Sequence, residues 1–140
     1  MNQTLWARMH GGATHFPIAS LIVSVVFDYA GFWWRNESGR REFRAFGFYS
    51  LLIAAAASPV AVISGIALSK GKLMGNGDLL LHHLFIWPAF SLLVGLAVWR
   101  LVMRERASRR AAKCYLMLVT IAAVAMMGAG YWGGEMTIGK

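Results

Sequence analysis

The sequence predicts an all-α fold, a transmembrane four-helix up-down bundle, and three observations carry that prediction. Hydrophobic residues make up 58% of the 140 residues and charged ones only 14%, a balance too apolar for a soluble domain of this size. Four stretches, at about 16–34, 45–68, 79–101 and 111–132, are near or above the roughly 20 apolar residues that cross a hydrocarbon core as a helix. The connections left between them are short, so helices adjacent in sequence are expected side by side and antiparallel. The whole chain, 1–140, reads as a single transmembrane domain.

The first stretch opens on "HFPIA", with Thr14 as a cap and Pro17 in the first turn, where a missing N–H costs nothing. It closes on Trp33 and Trp34, a pair suited to the membrane interface. It lacks the basic opening, short apolar centre and small-residue cleavage pattern of a secretory signal, and reads as a retained helix. The second contains "AAAASPVAVISG" and the fourth ends in "GAGYWGGE". Small residues of this kind let membrane helices approach closely, and they also leave room for a flat ring. The third follows "GNGD", a turn and a cap, and begins "LLLHHLFIWP". Pro59 and Pro88 each free a carbonyl one turn earlier and are expected to kink their helices.

Charge sets the orientation. Arg35, Arg40, Arg41 and Arg44 fall between the first two stretches, and Arg100, Arg104, Arg106, Arg109, Arg110 and Lys113 around the last connection, which is ten of the fourteen cations. Arg8, Lys70, Lys72 and Lys140 lie on the other side. The positive-inside rule then puts both termini and the middle loop in the periplasm of a bacterial inner membrane. The net charge of +8 is a topology signal and not the basic, aromatic-bearing soluble face of a nucleic-acid binder. The single Cys114 makes no internal disulfide.

With that orientation all four histidines, His10, His15, His82 and His83, gather at the outer face, on the first and third helices. Those two helices are diagonal in an up-down bundle, so imidazoles on them look at each other across the axis. Two such rings can supply both axial ligands of a b-type haem, with Arg8, Lys70 and Lys72 at hand for its propionates. Adjacent histidines project about 100° apart. His82 shares its stripe with Phe85, Ala89 and Leu93, and His83 with Trp87 and Phe90, which favours His82 as the inward ligand. Its expected partner is His15, because His10 precedes Gly11 and Gly12 and need not be helical. The plain alternative for each histidine is a hydrogen bond at the membrane interface.

Two carboxylates complete the set. Asp28, deep in the first helix, needs a partner: the structural reading pairs it with Arg44 or Arg100, the functional one makes it a proton relay. Glu135 either accepts from the unligated nitrogen of a ligand histidine or is an exposed tail carboxylate. No phosphate-binding glycine loop, paired-cysteine metal site or nucleophile elbow is present.

"HFPIA" with Asp28 in "FD" beyond it, a histidine near the start of the third helix, and "GYWGGE" closing the fourth resemble a family of small four-helix bacterial membrane proteins known as domain of unknown function 2231. The resemblance covers nearly the whole chain. It implies histidines on two helices as in haem-binding membrane cytochromes, some members being joined to Rieske-type domains. Carried over by position, it marks His15, His82, Asp28 and Glu135. This chain departs from the pattern in "HLFIW" after His82 and in the extra His83.

The expected function is that of a membrane electron-transfer subunit rather than an enzyme on its own. It would bind haem b near the periplasmic face and work in a larger redox assembly, hetero-oligomeric or homodimeric. Expected partners besides the lipid bilayer are other membrane redox subunits, a periplasmic electron-transfer protein or quinone. The alternatives are a non-redox accessory subunit of a respiratory or transport complex, and a copper-handling protein using histidine with Met9 or Met136.

Overall fold

The computed structural model describes residues 3–103 and 108–138. They form α1 (Gln3–Trp33), α2 (Glu37–Leu68), α3 (Asp78–Met103) and α4 (Arg109–Ile138), with no strand among the described residues. All four helices are long and apolar enough to cross a membrane, so the chain is a multi-pass membrane protein with lipid around it. Arg104, Arg106 and Lys140, counted in the charge argument, lie outside the described residues.

The helices outrun the apolar stretches that announce them, α1 most of all. It begins at Gln3, not near residue 16, and passes through Gly11, Gly12 and Pro17 without interruption. Thr14 is therefore no cap: its hydroxyl donates to the Gly11 carbonyl at 3.0 Å inside the helix. Two glycines weaken a helix by about 1 kcal/mol each. A segment entering hydrocarbon must nevertheless have its backbone already paired, and that requirement extends the helix outward past the polar residues.

The other ends follow local chemistry. Asn36 caps α2, accepting at 3.0 Å from the Ser38 N–H. At its far end the Gly71 N–H reaches the Ile66 carbonyl at 2.8 Å and the Lys70 N–H the Ala67 carbonyl at 3.2 Å, a Schellman closure. Lys70 takes the left-handed position at φ 56° that glycine usually fills. Ser108 caps α4 through the Ala111 N–H at 3.2 Å. Within α2 the Ser58 hydroxyl donates at 2.8 Å to the Ala55 carbonyl, the acceptor that Pro59 leaves without its N–H.

In the bundle α1 packs chiefly on α2 and α3 chiefly on α4. The contacts joining these two hairpins, α1 with α4 and α2 with α3, are much sparser, and α1 faces α3 only across the axis. One layer of Leu21, Leu51, Leu93 and Val119, one from each helix and none exposed, closes the middle of the core. Around it the buried positions are mostly small, Ala54, Ala61, Ala89, Ala122 and Ala129 among them, which is how membrane helices pack without a hydrophobic drive between them. Large apolar side chains such as Phe16, Val26, Ile63, Val98 and Val124 point outward into the lipid.

Candidate functional site

Two polar clusters lie inside the bundle, one at each end. At the end carrying the α1–α2 turn, Asp28 is 4% exposed and fully engaged. Its Oδ1 accepts from Arg100 at 2.6 Å, and its Oδ2 from the Tyr115 hydroxyl at 2.7 Å and the Ser24 hydroxyl at 3.3 Å. Arg100 also donates to the Arg44 carbonyl at 2.9 Å and lies over the Phe48 and Tyr115 rings. Of the two partners foreseen for Asp28, Arg100 is in ion contact with it, and Arg44 contributes its backbone carbonyl to the same guanidinium. All four helices meet in this knot: Asp28 from α1, Arg44 from α2, Arg100 from α3 and Tyr115 from α4. The glycine that admits it is Gly47, where a β-carbon would run into the Asp28 carboxylate. A cavity of about 50 Å³ beside the knot, lined by Phe32, Trp99 and Met103 among others, has room for a water or two.

The opposite end holds the histidines, and there the geometry corrects the sequence reading. His10 is on α1, half-buried, and its ring stands across the axis from His82, centroids 6.3 Å apart and planes 76° to each other. His15 is exposed on a stripe with the exposed Ile22, Val26 and Tyr29, so it does not meet His82. The expected pair of diagonal imidazoles forms, with His10 in the place assigned to His15.

Both rings are held by backbone carbonyls of the neighbouring helix. His10 Nδ1 lies 2.9 Å from the Ala61 carbonyl and 3.3 Å from the Ser64 hydroxyl, and His82 Nδ1 lies 2.8 Å from the Ala129 carbonyl. A carbonyl can only accept, so each Nδ1 carries a proton, and in the neutral ring the lone pair is then on Nε2. Glycines give the rings their space: a β-carbon at Gly65 would stand 2.9 Å from His10 Cε1, and one at Gly133 would stand 3.4 Å from His82 Nδ1. The small residues of α2 and α4 thus serve close helix packing at the alanines and give room to imidazoles at these two glycines.

His83 does not turn to the lipid. It is 6% exposed, 5.7 Å from His82 and stacked on Trp87 at 6.2 Å and 24°. Glu135 is exposed, and the Nδ1 hydrogens it could have accepted go to carbonyls instead. Arg8, Lys70 and Lys72 are exposed at this end. Met9 is exposed and Met136 half-buried, and among the described residues no three of His, Cys, Asp or Glu come together as a metal group.

What the sequence reading missed is a matter of phase. Counting back along α1 from Asp28 through the buried Ser24, Leu21 and Pro17 leads to His10, in the steps of three, four and seven residues that keep one face of a helix. The same count on α3 runs from Arg100 through Ala97, Leu93 and Ala89 to His82. Eighteen residues separate His10 from Asp28 and eighteen separate His82 from Arg100, five turns in each case. Because α1 and α3 run parallel, the ion pair at one end brings these two imidazoles together at the other.

No curated protein and no solved structure matches the chain significantly. One family model does, over residues 8–140. The chain belongs to the family described as predicted membrane protein, domain of unknown function 2231.

Proposed function

We propose that this protein is a membrane electron-transfer subunit that holds one b-type haem between His10 and His82. The observation that carries the reading is the pair of facing imidazoles, each with its Nδ1–H given to a carbonyl. That bond fixes the tautomer and ring direction a metal-ligating histidine needs and leaves Nε2 as the donor atom. The two rings stand 6.3 Å apart between centroids, so His10 and His82 are the residues that would hold the haem iron between them. The two rings come from different hairpins, so a flat macrocycle would enter the sparsely packed seam between them. A haem held by His10 and His82 would supply single-electron transfer. Arg8 and Lys72 supply positive charge at the same end.

The charge distribution supports a periplasmic histidine end in a bacterial inner membrane, and we place the subunit within a larger redox assembly. Among the described residues no three of His, Cys, Asp or Glu come together, so a copper site here would have to draw on methionine. A non-redox accessory subunit is the second reading. It is favoured by the fact that both imidazole–carbonyl bonds are complete without any ligand.

The test is the absorption spectrum of the purified protein, oxidised and reduced, and of three variants. Wild type is expected to show a low-spin bis-imidazole spectrum. His10→Ala and His82→Ala should lose it, and His15→Ala should keep it. A colourless wild-type protein that takes up no added haem selects the accessory-subunit reading.

A further inference from the structure

His83 Nδ1 is the one buried side-chain nitrogen or oxygen among the described residues with no hydrogen-bond partner. Buried polar atoms are almost always paired, so an orphan needs an explanation. The ring is not free to seek a partner. Trp87 stacks on it, and Trp87 is itself tied down by its Nε1–H, which donates to the Leu73 carbonyl at 2.8 Å. His82 stands on another side, 5.7 Å away. A pinned imidazole therefore presents a ring nitrogen, a donor in one of its two tautomers, to a group that the described residues do not supply.

We propose that His83 anchors the carboxylate edge of the cofactor, its Nδ1–H donating to a haem propionate. This rests on the haem reading above. A buried carboxylate is costly unless it is paired, and the hydrogen bond it would accept from Nδ1 is strengthened by its charge. The cations Arg8, Lys70 and Lys72 at the same end are exposed, so they can meet a carboxylate in the headgroup region but not one inside the bundle. His83 is the donor on the inner side, one residue from the ligand His82. It binds the ring's periphery, while His82 binds its metal.

The experiment is a titration of the purified full-length protein in detergent with iron protoporphyrin IX and, separately, with its dimethyl ester, which has the same ring and iron but no carboxylate. Wild type should bind the free acid about tenfold or more tightly than the ester. His83→Phe keeps an aromatic ring on Trp87 but has no donor, and its preference should fall by about tenfold, with the low-spin spectrum retained. His83→Asn, whose amide nitrogen stands where Nδ1 does, should keep the preference. Each preference is a ratio within one variant, so a general loss of stability cancels.

Equal weakening of both ligands in His83→Phe, or no preference in wild type, overturns the proposal, as water on Nδ1 or simple packing would then account for the ring. Loss of the low-spin spectrum in His83→Phe overturns it too, by making His83 an axial ligand. A wild-type protein that binds neither compound removes the haem reading and this inference with it. Binding of both with a bis-imidazole spectrum and no preference removes this inference alone.

Discussion

The two ends of the bundle solve the problem of polar groups among apolar helices in opposite ways. At the arginine end the chain supplies every partner: Asp28 takes hydrogen bonds from three helices' worth of donors counting its own, and Arg100 is shared between the carboxylate and the Arg44 carbonyl. At the histidine end the chain supplies half. His10 and His82 are bonded at Nδ1, and His83 Nδ1 is buried without a partner among the described residues. A closed polar network costs much to bury and gives the fold a unique arrangement. An open one is tolerable only where something from outside completes it. The difference sets a self-contained polar network apart from one with an orphaned ring nitrogen: the arginine end ties the helices together, and the histidine end is where the proposed ligand would sit.

Substitutions can break this contrast, and the largest effect is expected at the closed end. Asp28→Ala strands the Arg100 guanidinium, whose side chain is only 16% exposed, and removing one partner of a buried pair costs about 3–5 kcal/mol. Unfolding in detergent should show that loss, with Tyr115→Phe losing less, about 1–3 kcal/mol. Neither should move the spectrum of the haem in the protein that remains folded. A changed spectrum with unchanged stability would reverse the roles of the two ends.

Smaller effects test the histidine end. Gly65→Ala puts a methyl 2.9 Å from His10 Cε1, forcing the ring off the Ala61 carbonyl, and should weaken haem binding by about tenfold, one hydrogen bond's worth, with little change in unfolding. Gly133→Ala meets His82 at 3.4 Å, ordinary contact, and should bind haem nearly as wild type does. Equal effects from the two would mean that ring placement does not matter to the ligand.

Much of this was legible in the sequence because lipid imposes strict rules. Four apolar stretches made four helices, and an acid in mid-helix with arginines opposite made an ion pair. Helix ends were less legible, since hydropathy reports where the chain is apolar while backbone pairing decides where it is helical. Hence α1 reaches back to Gln3 and carries His10 into the bundle. His10 and His15 are five residues apart, about 140° around the helix, so only one can face inward, and a misplaced helix start picks the wrong one. Tyr115 gave no local sign of its role. Its partner is 87 residues away, and a tyrosine near a helix start commonly sits at the lipid interface.

The matched eighteen-residue spacing also measures the molecule against the membrane. Five turns rise about 27 Å, close to the roughly 30 Å of a bilayer's hydrocarbon, so the ion pair and the imidazole pair occupy the two boundaries where oil gives way to headgroups. Each can stay buried in protein while lying a short step from water. The span cannot be lengthened or shortened freely to suit another bilayer, because one residue more or fewer in α1 turns its upper half by 100° and swings His10 away from His82. Membrane thickness is thereby counted in whole turns of helix, and His10 meets His82 only when the count comes out right.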